Sequence, residues 1–91
     1  MLVYKIDVLR ELKDAGYNQT RIHKEKTFAQ SDVQKMREHR VIGINTLERL
    51  CRILELQPGA IIKYIPDEVY EERKTNGTLL PCEIIREKKE K

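Results

Sequence analysis

Gln30, Ser31, Gln34 and Lys35 stand at positions i, i+1, i+4 and i+5, so on a helix they share one outward strip instead of circling the axis. Their side chains are of the kind that donate and accept at base edges, glutamine toward adenine and lysine toward guanine. A polar strip of this kind also occurs on plain solvated helices. Around it, residues 18–40 hold six basic groups (Arg21, Lys24, Lys26, Lys35, Arg37 and Arg40) against three acidic ones. Residues 1–67 carry 12 basic and 9 acidic side chains and residues 68–91 carry six of each, so the whole net charge of +3 lies in the first segment. A local cationic patch is the electrostatic footprint of a polyanion-binding surface.

Other chemistry finds little support. Cys51 and Cys82 are 31 positions apart with no CxxC, and His23 and His39 stand at no zinc-like spacing from them, so no metal is implied. No nucleophile with a base, no carboxylate pair in a plausible pocket and no glycine-rich phosphate loop points to an enzyme. No cofactor and no small-molecule substrate is evident. No apolar run approaches the roughly 20 residues of a bilayer span, and Met1-Leu2-Val3-Tyr4 lacks the zones of a secretory signal. The expectation is a cytoplasmic protein without a membrane partner.

The elements that must carry the strip are short and helical. Ile6, Leu9 and Leu12 make one stripe over Ile6 to Ala15, and Gly16 fits a left-handed stop. Asn18 is suited to cap a second helix, about Gln19 to Glu25, whose one apolar residue, Ile22, must point inward. A third helix follows from about Gln30 to Glu38, with Val33 and Met36 or Arg37 returning to the core. Asn45-Thr46-Leu47-Glu48 has the form of a capping box opening a fourth helix to about Glu55. Its stripe of Leu47, Leu50, Cys51 and Leu54 marks the central packing element. Pro58 suits the first position of a fifth helix, roughly Pro58 to Tyr64.

The fold class expected is all-α: five helices in residues 1–67, then a C-terminal extension over residues 68–91. In the extension, Glu68 to Thr75 is highly charged, Asn76-Gly77 is a tight-turn signal, and Thr78 to Ile85 is apolar enough for a short β-strand. Pro81 restricts that strand to an edge, and Glu87 to Lys91 reads as a solvated end. The strand has three candidate partners: Leu2 to Tyr4 of the same chain, its own copy in a second chain, or a hairpin about Asn76-Gly77. Self-complementarity under a two-fold axis favours a homodimer, the alternative being that the extension only covers the core of its own chain.

Two short helices, the second polar on its outer face, followed by two apolar-striped helices, is helix-turn-helix order. Tyr4-Lys5, Gln19-Thr20-x-Ile22, Ser31-x-Val33-x-Lys35-Met36, Asn45-Thr46-Leu47-x-x-Leu50-Cys51-x-x-Leu54 and the closing Ile62-x-Tyr64-Ile65-Pro66-Asp67-Glu68 carry a resemblance. Residues 4–68 resemble a Cro and phage-repressor type helix-turn-helix domain (the XRE family), in particular its small stand-alone regulators. The chain departs from that pattern at Thr27, where the family has Gly, at Ala29, where it has a Ser or Thr cap, and in having no Gly after the third helix. With Ala29 unable to cap, Ser31 becomes an alternative cap for a helix that begins later.

The resemblance implies sequence-specific binding of double-stranded DNA and transcriptional control, with repression as the expected sign. It assigns base reading to Gln30, Ser31, Gln34 and Lys35, and backbone contact to Gln19 and Thr20. Arg21, Lys24, Arg37 and Arg40 are further cationic candidates for backbone contact. The alternative function is a protein-interaction module on the same fold, binding a repressor, toxin or other protein. Salt separates the two, because phosphate contacts weaken steeply with ionic strength.

Overall fold

The computed structural model describes residues 1–86. In chain order it contains β1 (Leu2–Tyr4), α1 (Val8–Asp14), α2 (Gln19–Glu25), α3 (Gln30–Arg37), α4 (Ile44–Leu54), α5 (Pro58–Ile61), β2 (Ile62–Tyr64), α6 (Asp67–Asn76) and a 3-10 turn at Pro81–Glu83. The first helix starts two residues later than its apolar stripe suggests, because Asp7 caps it by accepting from the Arg10 amide. Gly16 then adopts φ +94°, and the Tyr17 amide donates to the Leu12 carbonyl at 2.7 Å. This is the left-handed stop expected of that glycine. The Asn18 side chain accepts from the Arg21 amide at 2.8 Å and opens α2.

Two corrections concern α4 and α5. Helix α4 begins at Ile44 behind Gly43, without the side-chain cap expected of Asn45. Thr46 instead donates from Oγ1 to Asp32 Oδ2 at 2.7 Å, tying α4 to α3. Helix α5 does not run to Tyr64: it ends at Ile61, and Ile62–Tyr64 pairs antiparallel with Leu2–Tyr4. A helix opened by Pro58-Gly59 is too short to propagate, whereas the strand pairing satisfies the same backbone groups.

The small sheet has two covered faces. Leu2↔Tyr64, Val3↔Lys63 and Tyr4↔Ile62 are the facing pairs, and side chains alternate along each strand. Tyr4 and Ile62 pack on the main core, which is built from Val8, Leu12, Ile22, Phe28, Val33, Met36, Leu47, Leu50 and Ile61 among others. Val3 points the other way and is fully buried with Ile65, Tyr70 and Leu79.

The second face is covered by the extension, whose structure corrects the expected strand. The charged stretch after Pro66 forms α6, with Asp67 and Glu68 in its first turn and Arg73 and Lys74 in its last, as the helix dipole favours. Asn76-Gly77 closes this helix and makes no hairpin: Gly77 has φ +70°, and the Thr78 amide donates to the Arg73 carbonyl at 2.9 Å. Residues 78–85 form no strand, because Pro81 offers no amide to a ladder and opens a 3-10 turn instead. The expected solvated end, Glu87 to Lys91, lies outside the described residues.

Glu83 locks that turn. Its carboxylate is fully buried, pairs with Lys63 Nζ, stands 3.2 Å from Arg73 Nη2, and accepts from the Leu80 amide at 2.7 Å. Burial opposes its ionisation, but the hydrogen bonds from Lys63 and Leu80 and the charges of Lys63 and Arg73 outweigh burial and hold the carboxyl below its usual range.

Candidate nucleic-acid interface

The site is built on α2 and α3. Ile22 is buried under α2, and Phe28 in the connecting turn is buried beside it, so the polar second helix is held by its neighbours. The left-handed residue of the turn is Lys26 (φ 53°), not Thr27, whose amide closes the helix end by donating to the Ile22 carbonyl at 3.1 Å. Helix α3 starts at Gln30 behind Ala29, which makes no side-chain cap bond. The later start with Ser31 as cap is therefore not adopted, and Ser31 stays on the outward strip. Val33 and Met36 turn to the core, while Arg37 is exposed. At the far end His39 takes φ 61° in place of a glycine, and the Arg40 amide donates to the Lys35 carbonyl at 2.8 Å.

On the outer face Gln30, Ser31 and Lys35 are exposed, and Gln34 is half-buried. Gln34 is also bonded at both ends of its amide: Oε1 accepts from Arg37 Nη1 at 2.6 Å, and Nε2 donates to Glu38 Oε2 at 2.7 Å. Arg37 Nη2 continues the chain to Gln19 Oε1 at 2.8 Å. Gln19, Gln34 and Arg37 are thus brought together across α2 and α3. Gln30 Nε2 lies 2.6 Å from His23 Nδ1 of α2, a contact that orients the first outward amide of α3.

The remaining candidates are spread more widely. Thr20 and Lys24 are exposed on α2. Arg21 turns back toward α1: its guanidinium bonds the Gly16 carbonyl and Glu25, each at 2.9 Å, and lies 4.1 Å over the Tyr17 ring. Arg40 lies beyond α3, with Nε 3.3 Å from Glu38 Oε1. Its carbonyl accepts from the buried Tyr4 hydroxyl at 2.8 Å, and burial pushes that hydroxyl well above the usual tyrosine range. His23 and Glu38 are the orienting residues that sequence reading missed. Glu38 carried a signal in its i+4 spacing from Gln34, whereas His23 reaches Gln30 only through the turn.

Among the described residues, no group of His, Cys, Asp and Glu side chains could hold a metal ion, and no helix is long and apolar enough to cross a membrane.

Comparison with known proteins agrees with this geometry. The family model for the Cro/C1-type HTH DNA-binding domain matches residues 6–67. A relative from Bacillus subtilis (strain 168), named as the uncharacterized HTH-type transcriptional regulator YozG, is 30% identical over 67 residues, covering 74% of this chain and 80% of the relative. No solved structure matches the chain. Since the matched span includes both α2 and α3 and the helices that pack behind them, the chain belongs to the Cro/C1-type helix-turn-helix DNA-binding family.

Proposed function

We propose that this protein is a sequence-specific, double-stranded DNA-binding transcriptional regulator that acts as a repressor in the cytoplasm. The observation that carries the reading is the outer face of α3, where Gln30, Ser31 and Lys35 stand free of the core beside the amide and guanidinium chain of Gln34, Arg37 and Gln19. In this reading Gln30, Ser31, Gln34 and Lys35 read base edges, and Gln19, Thr20, Lys24, Arg37 and Arg40 contact phosphates. Arg21 belongs to the same backbone class only if DNA draws it off Gly16 and Glu25. The test is selection of bound fragments from random duplex DNA by the purified protein. A recovered motif supports the reading, and placing it across a promoter measures the sign of regulation. Recovery of random sequence, with affinity for duplex insensitive to salt, favours a protein-interaction module instead.

The reading includes a homodimer on two half-sites about 34 Å apart. Residues 1–67 form the reading unit in this view, and residues 68–91 contribute to pairing. Leu80 and Ile84, 49% and 44% exposed, supply apolar surface for a second copy, while Leu79 is already used inside the chain. Sedimentation of the full chain beside a version ending at Asp67 tests this. A full-length monomer at micromolar concentration overturns the pairing role. An unfolded truncation assigns the extension to the core that covers Val3 and Ile65.

A further inference from the structure

The extension does not stop at the sheet. From the buried Glu83 it runs to the end of α3, where His39 Nδ1 bonds the Ile84 carbonyl at 2.9 Å and the Arg86 amide donates to the Glu38 carbonyl at 2.8 Å. These two contacts dock the segment on the helix that carries the outward strip. They also bring Arg86 to the wall of a surface cleft between α1 and the α2 and α3 pair, shared with Arg10, Lys13, Arg37, Asp7 and Asp14. Gln19, at the start of α2, lines the same cleft and is bonded to Arg37. Arg10, Lys13, Arg37 and Arg86 make no ion pair among the described residues. Four cations against two carboxylates leave the cleft positive, and Asp7 is already engaged in capping α1.

We infer that Arg86 is a DNA-backbone contact supplied by the extension from outside the helix-turn-helix unit, gripping a phosphate beside the one held at Gln19 and Arg37. The inference rests on the DNA-binding reading above. An exposed guanidinium tethered by its own main chain to the end of α3 keeps a fixed place relative to the reading face, and guanidinium suits a phosphate better than ammonium does. A contact of this kind carries no base information, so it strengthens binding to every sequence alike.

The test uses the full chain and two probes: the duplex recovered by selection and a mixed-sequence duplex of the same length. Arg86→Ala leaves the hydrogen bond from the main-chain amide of residue 86 to the Glu38 carbonyl in place and removes only the cation. It is expected to weaken both probes by the same factor, on the order of tenfold, and to lower the salt exponent by about 0.9, one phosphate's worth. Arg86→Lys should restore the salt exponent and recover part of the affinity, since it returns the charge without the guanidinium fork. Lys74→Ala, which removes an equal charge from α6, should change neither quantity. If Arg86→Ala leaves affinity and exponent unchanged while Lys35→Ala still weakens the selected duplex, the inference is wrong and the DNA-binding reading stands. An equal loss from Lys74→Ala also overturns it, since net charge and not a contact would then be responsible. If selection recovers no motif and the parent chain binds duplex without salt dependence, the DNA-binding reading itself fails.

Discussion

Arg37, at the end of α3, donates from its guanidinium to the side-chain oxygen of Gln19, at the start of α2, over 2.8 Å and across 18 residues of chain. The same guanidinium holds Gln34 Oε1, and Glu38 holds Gln34 Nε2. Gln34 therefore has its amide oriented before any partner arrives, with the oxygen toward Arg37 and the nitrogen toward Glu38. An amide oxygen has a second lone pair and an amide nitrogen a second hydrogen, so a donor and an acceptor remain for a base edge.

Replacing Gln34 or Lys35 by Ala should lower affinity for the selected duplex by about 1 to 3 kcal/mol, with a smaller effect on random DNA. Lys35 is the cleaner of the two, because it is exposed, whereas losing Gln34 also releases Arg37 and Glu38. Parallel titrations on the two duplexes check it. Equal losses on both would move these side chains to the phosphate-contacting class.

Leu50 is fully buried on α4 at the centre of the main core. Leu50→Ala should cost about 2 to 5 kcal/mol, a large part of a small domain's stability. Denaturant unfolding measures this, and a melting temperature like that of the parent chain would mean the core does not depend on this face of α4.

Lys26 closes α2 at φ 53°, a conformation that a side chain disfavours and glycine adopts freely. Lys26→Gly is expected to stabilise the protein by about 1 kcal/mol, raising its melting temperature by roughly 4 to 8 °C. Thr27→Gly, one residue on and outside the left-handed region, should give no such gain. Calorimetry of the two variants side by side separates the positions.

Glu83 links stability to acid. Its folded-state carboxyl titrates below the ordinary value of about 4.3, so its contribution is present above that value and is lost as pH falls through the lower, folded one. Glu83→Gln leaves Lys63 and Arg73 without their buried partner. Since both cations are about one-third exposed, the cost at pH 7 should fall below that of a fully buried pair, at about 1 to 3 kcal/mol. Unfolding midpoints should show that difference undiminished at pH 6 and reduced at pH 3.

How far the sequence could be read depended on how local each signal was. Asn18 and Gly16 act within a few residues of themselves, so the start of α2 and the stop of α1 were legible from the chain alone. The outward strip on α3 and the leucines of α4 followed from helical periodicity for the same reason. Four features were decided only by the tertiary structure. Ile61 to Tyr64, three large side chains around Lys63, suits a helix or a strand, and β1, some 60 residues away, decides for the strand from Ile62 on. The stretch around Tyr70 becomes a packed helix because the sheet has a second face, with Val3 and Ile65, that only α6 and Leu79 cover. Glu83 reads as one more charge in a charged tail until Lys63 and Arg73 converge on it. The orientation of Gln34 depends on Arg37, itself held by Gln19 on another helix. Caps and stripes are short-range preferences of the backbone and its nearest side chains. Strand pairing, burial of charge and the aim of a polar side chain are set by groups that come together only when the chain folds.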